Sequence, residues 1–285
     1  MTIILYLLVI VFLLAFPAET SGAAMRAMRT WATSIVPTLF PYMVFGRLLG
    51  NSLHMLNLPA APAAAALGLL GGSPAGAALI VSYAPGLSSR CLFSLCALTG
   101  TLSPMFILGT MLTWTNHEPL CSRLLLCHWI SAVLSAWIVW VVYGKPKYQS
   151  LFSAETVQHA WGNPLSQSID AIIQVGGCVI LYSVLAQIGG LLLRPILPRM
   201  QPLFHAALEA AGGINAIWQS NLSVEVKGSM ICIALGFSGF SILAQNHAML
   251  KPLGIRMHQL IAFALLRACL SGLLFPFISF LVSIN

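Results

Sequence analysis

Charge is what this chain has least of. Of its 285 residues only 7% are Asp, Glu, Lys or Arg, and just six are acidic. A soluble globular protein carries roughly 25% charged residues, so a water-covered surface is excluded. No C-x-x-C pair occurs, and an odd total of seven cysteines fits no disulfide or metal framework. Cys91, Cys96, Cys121, Cys127, Cys178, Cys232 and Cys269 lie in or beside apolar segments, where a thiol is expected as small apolar filler. There is no H-E-x-x-H, no G-x-S-x-G and no Walker loop, so no enzyme chemistry is expected. The seven histidines are dispersed without metal-ligand spacing and are expected mostly at interfaces. Neither a metal nor a cofactor is expected.

Apolar residues make up 59% of the chain, with a mean hydropathy of +0.91. They form long continuous runs, whereas a transmembrane barrel would show short alternating ones. The fold class is therefore all-α, a polytopic helical membrane protein. Thirteen basic residues give a net charge of +7, yet they stand singly or in pairs at run ends, as at Arg26/Arg29, Lys145/Lys147 and Arg194/Arg199. Such flanking residues meet lipid headgroups and orient helices. A nucleic-acid partner would need them concentrated on one face, so none is expected. The lipid bilayer is the expected partner, with homo-oligomerisation left open.

In chain order, an apolar run at 3–17 lacks the preceding basic region of a signal peptide and reads as a retained first helix. A loop is expected over 18–30, carrying Arg26 and Arg29, and then a span at 31–50 interrupted by Pro37 and Pro41. The run at 62–83 contains Gly71-Gly72-Ser73-Pro74-Ala75-Gly76-Ala77, too rich in helix breakers for a plain helix and too apolar in its setting for a surface loop. Backbone groups cannot stay unpaired in hydrocarbon, so a break at depth is buried in protein or lines a wet cavity. A re-entrant hairpin is the expectation, against the alternative of a membrane helix packed closely through Gly and Ala. A span at 91–113 follows, broken at Thr99-Gly100-Thr101-Leu102-Ser103-Pro104, and then one at 124–143. The polar stretch 144–167, with Lys145, Lys147, Glu155, His159, Trp161 and Asn163, reads as a loop between halves. Apolar runs resume at 168–193, 203–219, 229–250 and 258–282.

The second half repeats the order of the first. LGLLGGSPAGAALIVS has a counterpart in LEAAGGINAIWQS, pairing Gly72 with Gly213 (213 − 72 = 141). The break at Gly100 has one at Ser238-Gly239-Phe240 (239 − 100 = 139). Two repeats are expected, 31–143 and 168–285, after a first helix and loop at 1–30. Each repeat would hold a hairpin (62–83 and 203–219) and a broken helix. With both hairpins re-entrant, three full spans separate the repeat starts. An odd number inverts the second repeat, as in many secondary transporters.

Charged residues inside spans are the sharpest functional pointers. Glu209 reads as a cation or proton ligand near the midplane or a hydrogen-bond acceptor for a polar substrate, or alternatively as solvated beside His205 near an interface. Asp170 reads as a helix-start carboxylate. Arg267, mid-span, needs a partner such as Glu209 or a hairpin-tip carbonyl. Polar groups gather at the breaks: Ser73, Thr99, Thr101, Ser103, Asn215, Ser238, Ser241, Gln245 and Asn246. With Glu209 they form the candidate site for an unidentified small polar solute, although singly each also suits interhelical hydrogen bonding.

The segments GGSPAGA (71–77) and SPMFILG (103–109), Leu208-Glu209 with Gly213-Ile214, and GFSGFS (236–241) with Gln245 together resemble YlbJ-type sporulation integral membrane proteins. That group falls within the wider set carrying the nucleoside-recognition (Gate) domain, related to concentrative nucleoside transporters. The resemblance covers nearly the whole chain. It implies a bacterial inner-membrane protein with a role in spore cortex formation and a Gate-like, transport-type fold. Where such proteins tend to carry asparagines before Ser-Pro, this chain has Thr99-Gly100-Thr101-Leu102, and its first hairpin carries no charge. The alternative function is a non-transporting scaffold for sporulation partners.

Overall fold

The computed structural model describes residues 2–55, 59–84, 87–143, 163–196 and 200–284. The polar stretch expected as an inter-repeat loop lies mostly outside the described residues, as do Lys145, Lys147, Glu155, His159, Trp161 and Arg199. Helices carry the described chain, and no strand occurs among the described residues. Five of these helices are long and apolar enough to cross a membrane. Their outward faces are hydrocarbon-like, with Trp137, Val142, Ile173, Leu273 and Phe280 all more than half exposed. A belt of that kind is matched to lipid and not to water. This is a multi-pass membrane protein.

Helix α1 (Thr2–Ala15) is followed by α2 (Pro17–Thr30), a π turn (Trp31–Ile35) and α3 (Val36–Met55). The loop expected at 18–30 is therefore helix, continuous with the span that follows. Its polar residues do not prevent this, because Ala and Met dominate its sequence and its inner residues Thr20, Ala23 and Ala27 are buried. Next come α4 (Ala60–Gly71) and α5 (Ala75–Tyr83), separated only by a three-residue turn. Then α6 (Ser89–Thr99) ends in a break, after which a π turn (Phe106–Met111) leads into α7 (Leu112–Thr115). Helix α8 (Glu118–Val142) closes the first half.

The second half has the same order. Helix α9 (Pro164–Leu193) opens it, with the Asn163 side chain capping its N-terminus by accepting N–H bonds from Leu165 and Ser166. Residues 164–167, expected as loop, are thus its first turn. Asp170 lies exposed in its second turn, and Asn163 is the helix-start group instead. Two short helices follow, α10 (Gln201–Leu208) and α11 (Ala210–Trp218). Helices α12 (Val224–Phe237) and α13 (Phe240–Leu250) are parted by a break at 238–239, and α14 (Met257–Ile284) is last.

Both helix pairs fold back on themselves. A Cβ placed on Gly68 would lie 3.6 Å from the Gly76 Cα, and one placed on Gly213 would lie 2.1 Å from the Ala206 Cα. At 1.5 Å per residue the arms of these hairpins are about 12–18 Å long, well short of the ~30 Å hydrocarbon core. The second tip is Glu209, not Gly213 as the glycine pairing implied.

Two pairs of long helices run antiparallel. Arg26 of α2 meets Gln187 of α9, while Arg47 of α3 meets Gln167 at the other end. Likewise Arg123, near the start of α8, bonds Ser279 near the end of α14, and Tyr143 just beyond α8 stacks edge-on against Phe263 near the start of α14. Two apolar cores fill the interior, one around Phe106, Leu124, Ile214 and Phe275 and one around Ile80, Phe93, Leu243 and Phe263.

The first tip depends on Gly72. Its φ is +60°, and a Cβ there would lie 2.4 Å from the backbone nitrogen of Ser103. Gly72→Ala is expected to destabilise by about 1–3 kcal/mol from backbone strain alone, with the clash adding to it. Gly177→Ala, with nothing within 4 Å of the new methyl, should be neutral or slightly stabilising. Thermal unfolding of the detergent-solubilised protein checks both.

Candidate functional site

The break after α6 frees carbonyls in the protein interior, and those of Ala97, Gly100, Thr101 and Leu102 find donors from elsewhere in the chain. Arg267 of α14, 1% exposed, donates through Nη1 to Ala97 (2.9 Å) and through Nη2 to Gly100 (2.7 Å). Its Nε bonds Gly236 at the end of α12 (3.2 Å). The Thr101 carbonyl accepts the Ser73 N–H at 2.7 Å, which docks the first hairpin tip on the break. His128 Nε2 lies 3.1 Å from the Leu102 carbonyl; since that oxygen only accepts, Nε2 carries the hydrogen. The partner of Arg267 is thus backbone at the broken helices, and neither Glu209 nor a hairpin tip. His128 is buried mid-helix, contrary to the expected interfacial placement. Sequence reasoning left it out because a lone histidine in an apolar run shows nothing of a carbonyl 26 residues away.

Glu209 is the second hairpin tip itself. It is 4% exposed, its Oε1 accepts the Ala211 N–H (2.9 Å) and its Oε2 the Gly212 N–H (2.6 Å). The carboxylate therefore caps α11 with both oxygens engaged, and the solvated placement beside His205 does not hold.

Both tips and both breaks meet at a central cavity of about 40 Å³. Five of the expected residues line it: Ser73, Ser103, Glu209, Ser241 and Gln245. The others stand around it. Asn246 donates to the Ser73 hydroxyl at 2.8 Å, and Ser238 is turned back onto the Gly100 and Leu235 carbonyls. Thr99 fits into the slot between α4 and α5, against Gly68 and Gly76. Thr101 is fully buried with its hydroxyl unpaired. Asn215 lies in an outer chamber instead.

Two larger chambers flank the centre. One, of about 290 Å³, is bounded by α3, α4, α5 and the start of α9 and contains Tyr42, Arg47, Asn51, Ser82 and Gln167. The other, of about 460 Å³, contains Arg26, Arg29, Gln187, His205, Asn215 and Gln219. Met43, Gly71 and Ala75 belong to the first chamber and the centre, and Val179 and Glu209 to the second chamber and the centre. Along the continuous helix from α2 to α3 the order is Arg26 and Arg29, then Ile35 and Leu39 at the centre, then Arg47 and Asn51. At 1.5 Å per residue Arg29 and Arg47 are about 27 Å apart. The chambers open at opposite ends of one membrane-length helix. None of their arginines is among the expected site residues, because standing singly or in a pair at the end of an apolar run each reads as a headgroup flank.

The linings of the two chambers correspond at one spacing. Thr30 and Gln167, Gly46 and Ser183, Gly50 and Gln187, Ala78 and Asn215, and Ser82 and Gln219 are all 137 apart (215 − 78 = 137). Farther along, Ala97 and Gly236 are 139 apart (236 − 97 = 139), as are His128 and Arg267 (267 − 128 = 139).

Over 85% of its length the chain is 23% identical to the sporulation integral membrane protein YlbJ of Bacillus subtilis (strain 168), covering 73% of that protein. The chain is similar to a YlbJ-type sporulation membrane protein. That likeness spans both hairpins and both breaks, in keeping with the motifs that suggested it. No protein-family model matches the chain, and no solved structure matches it.

Arg267 is the most demanding side chain of the site. Arg267→Lys keeps the charge but replaces a rigid fork with a single ammonium, so at least one of three carbonyls loses its donor. A loss of about 1–3 kcal/mol per orphaned carbonyl is expected, and Arg267→Leu should be worse than Arg267→Lys. The order of melting temperatures, wild type above Lys above Leu, checks this.

Proposed function

We propose that this protein moves or gates a small polar solute across a bacterial cell membrane, through a site between two inversely related repeats. The observation that carries the reading is the series of three adjoining cavities that share lining residues, with the outer chambers at opposite ends of one long helix. Antiparallel pairing of α3 with α9 and of α8 with α14 supports the inversion, since equivalent helices of inverted repeats point opposite ways. Arms too short to cross support re-entrant hairpins whose tips meet at mid-depth. On this reading Ser73, Ser103, Glu209, Ser241 and Gln245 contact the solute and Asn215 stands at an entrance. Thr99, Thr101, Ser238 and Asn246 hold the tips and breaks in place. The name of its relative supports a role in sporulation; location at the bacterial inner membrane and spore cortex formation as the process served are part of the proposal.

Access to the two chambers tests the path. In a background with the seven native cysteines replaced, single cysteines at Asn51 and Gln219 should react with a membrane-impermeant maleimide from opposite sides of sealed vesicles. Labelling of both from one side sinks the path. The role is tested by expressing the chain in a Bacillus subtilis strain lacking YlbJ. Heat-resistant spores should return, and Glu209→Ala should reduce them while its membrane level holds. A scaffold would tolerate that change.

A further inference from the structure

The chemical class of the solute follows from a difference between the two hairpin tips, and this inference rests on the central solute site proposed above. At the second tip, Glu209 sets a carboxylate on the first turn of α11 through the Ala211 and Gly212 N–H groups. The position 137 residues earlier is Gly72 (209 − 137 = 72), and α5, the nine-residue helix that follows it, has no side-chain cap. Its first residue, Ala75, lines the same central cavity as Glu209. The first turn of a helix presents N–H groups and a partial positive charge that suit an anion; in α5 the Gly76 N–H is taken by the Gly72 carbonyl, which leaves those of Ala75 and Ala77. One tip therefore carries a built-in carboxylate and its twin does not.

The hydroxyls around the cavity point to the same ligand independently. Ser241 is 1% exposed, faces the cavity and makes no hydrogen bond among the described residues. A buried hydroxyl without a partner calls for a ligand. Ser73 already accepts a hydrogen bond from Asn246, so its own hydrogen is left to donate into the cavity. Access is cationic from both ends, through Arg47 on one side and Arg26 and Arg29 on the other, and Glu209 is the lone acid lining any of the three cavities. Cavities lined with one sign of charge concentrate the opposite ion. Size fits as well. A water needs about 10–15 Å³ of such volume, so a cavity of about 40 Å³ takes a carboxylate-sized group and excludes a nucleoside.

We propose that the central cavity binds a small carboxylate at the N-terminus of α5, with Ser73 and Ser241 donating hydrogen bonds, as a counterpart to Glu209 on the opposite tip. The purified full chain, melted in detergent at constant ionic strength with sodium formate, acetate, chloride or uridine, tests this. Formate or acetate should raise the melting temperature saturably while chloride and uridine do not. Ser241→Ala should weaken the apparent affinity about tenfold, as loss of one hydrogen bond to a charged group predicts. Ser73→Ala, run in parallel, keeps the test readable where Ser241→Ala fails to accumulate. A response to uridine or to sodium alone, a carboxylate response left unchanged by both Ser241→Ala and Ser73→Ala, or no response to any probe overturns the proposal. If the two chambers still label from opposite sides, the solute path survives that failure; labelling from one side removes the path itself.

Discussion

Every backbone carbonyl that a broken helix exposes inside the bilayer must find a donor, and the core of this protein is arranged around that requirement. Each such group left unpaired in hydrocarbon costs several kcal/mol. Ala97, Gly100, Thr101 and Leu102 find theirs in Arg267, the Ser73 backbone and His128. These donors come from α14, the first hairpin and α8. The break can therefore exist only where three other elements converge, and its pairing fixes where they converge. The third arm of Arg267 extends the same arrangement to Gly236 at the end of α12, tying the two broken helices together.

Arg267 also shows how a buried cation is held without an acid. Its three acceptors include carbonyls in the last turns of α6 and α12, where the helix dipole is negative. Ala97 and Gly236 occupy matching places in the two halves, as do His128 and Arg267. His128 reaches one carbonyl of the first break, and Arg267 reaches two there and a third at the end of α12.

Sequence was a good guide wherever structure is set by local chemistry. The turn at Gly72 and the breaks at Gly100 and Gly239 were legible, since glycine and proline terminate helices by their own backbone properties. Five cavity-lining residues were legible for the same reason, being the polar groups beside those breaks. The tip at Glu209 was not. Ala-Ala-Leu-Glu-Ala-Ala is among the strongest helix-forming sequences, and glycine does not appear until three residues later. Here close packing of Gly213 on Ala206 accompanies a fold-back that local propensity opposes. Anchoring the register on glycines therefore paired Gly72 with Gly213 where the hairpins pair it with Glu209. The partners of Arg267 and His128 were illegible for another reason. They are carbonyls, which every residue carries and no residue type marks. The helical state of 18–30 was hidden because its polar residues suggested water, while its small residues pack inside.

The directions of the short helices sort charge within the interior. At each break the preceding half-helix points its negative end at Arg267, and the following one begins beside the cavity. The cation is thereby committed to structure, with all three of its nitrogens engaged by carbonyls. What faces the cavity is the opposite polarity: the first turns of α5, α11 and α13, through Ala75, Ala211 and Ser241. One of those three first turns is neutralised by Glu209 and two carry no side-chain cap. The fold thus separates a fixed positive charge that holds the breaks from unfilled positive helix ends that face the path. It does so with Glu209 as the single buried acidic side chain among the described residues.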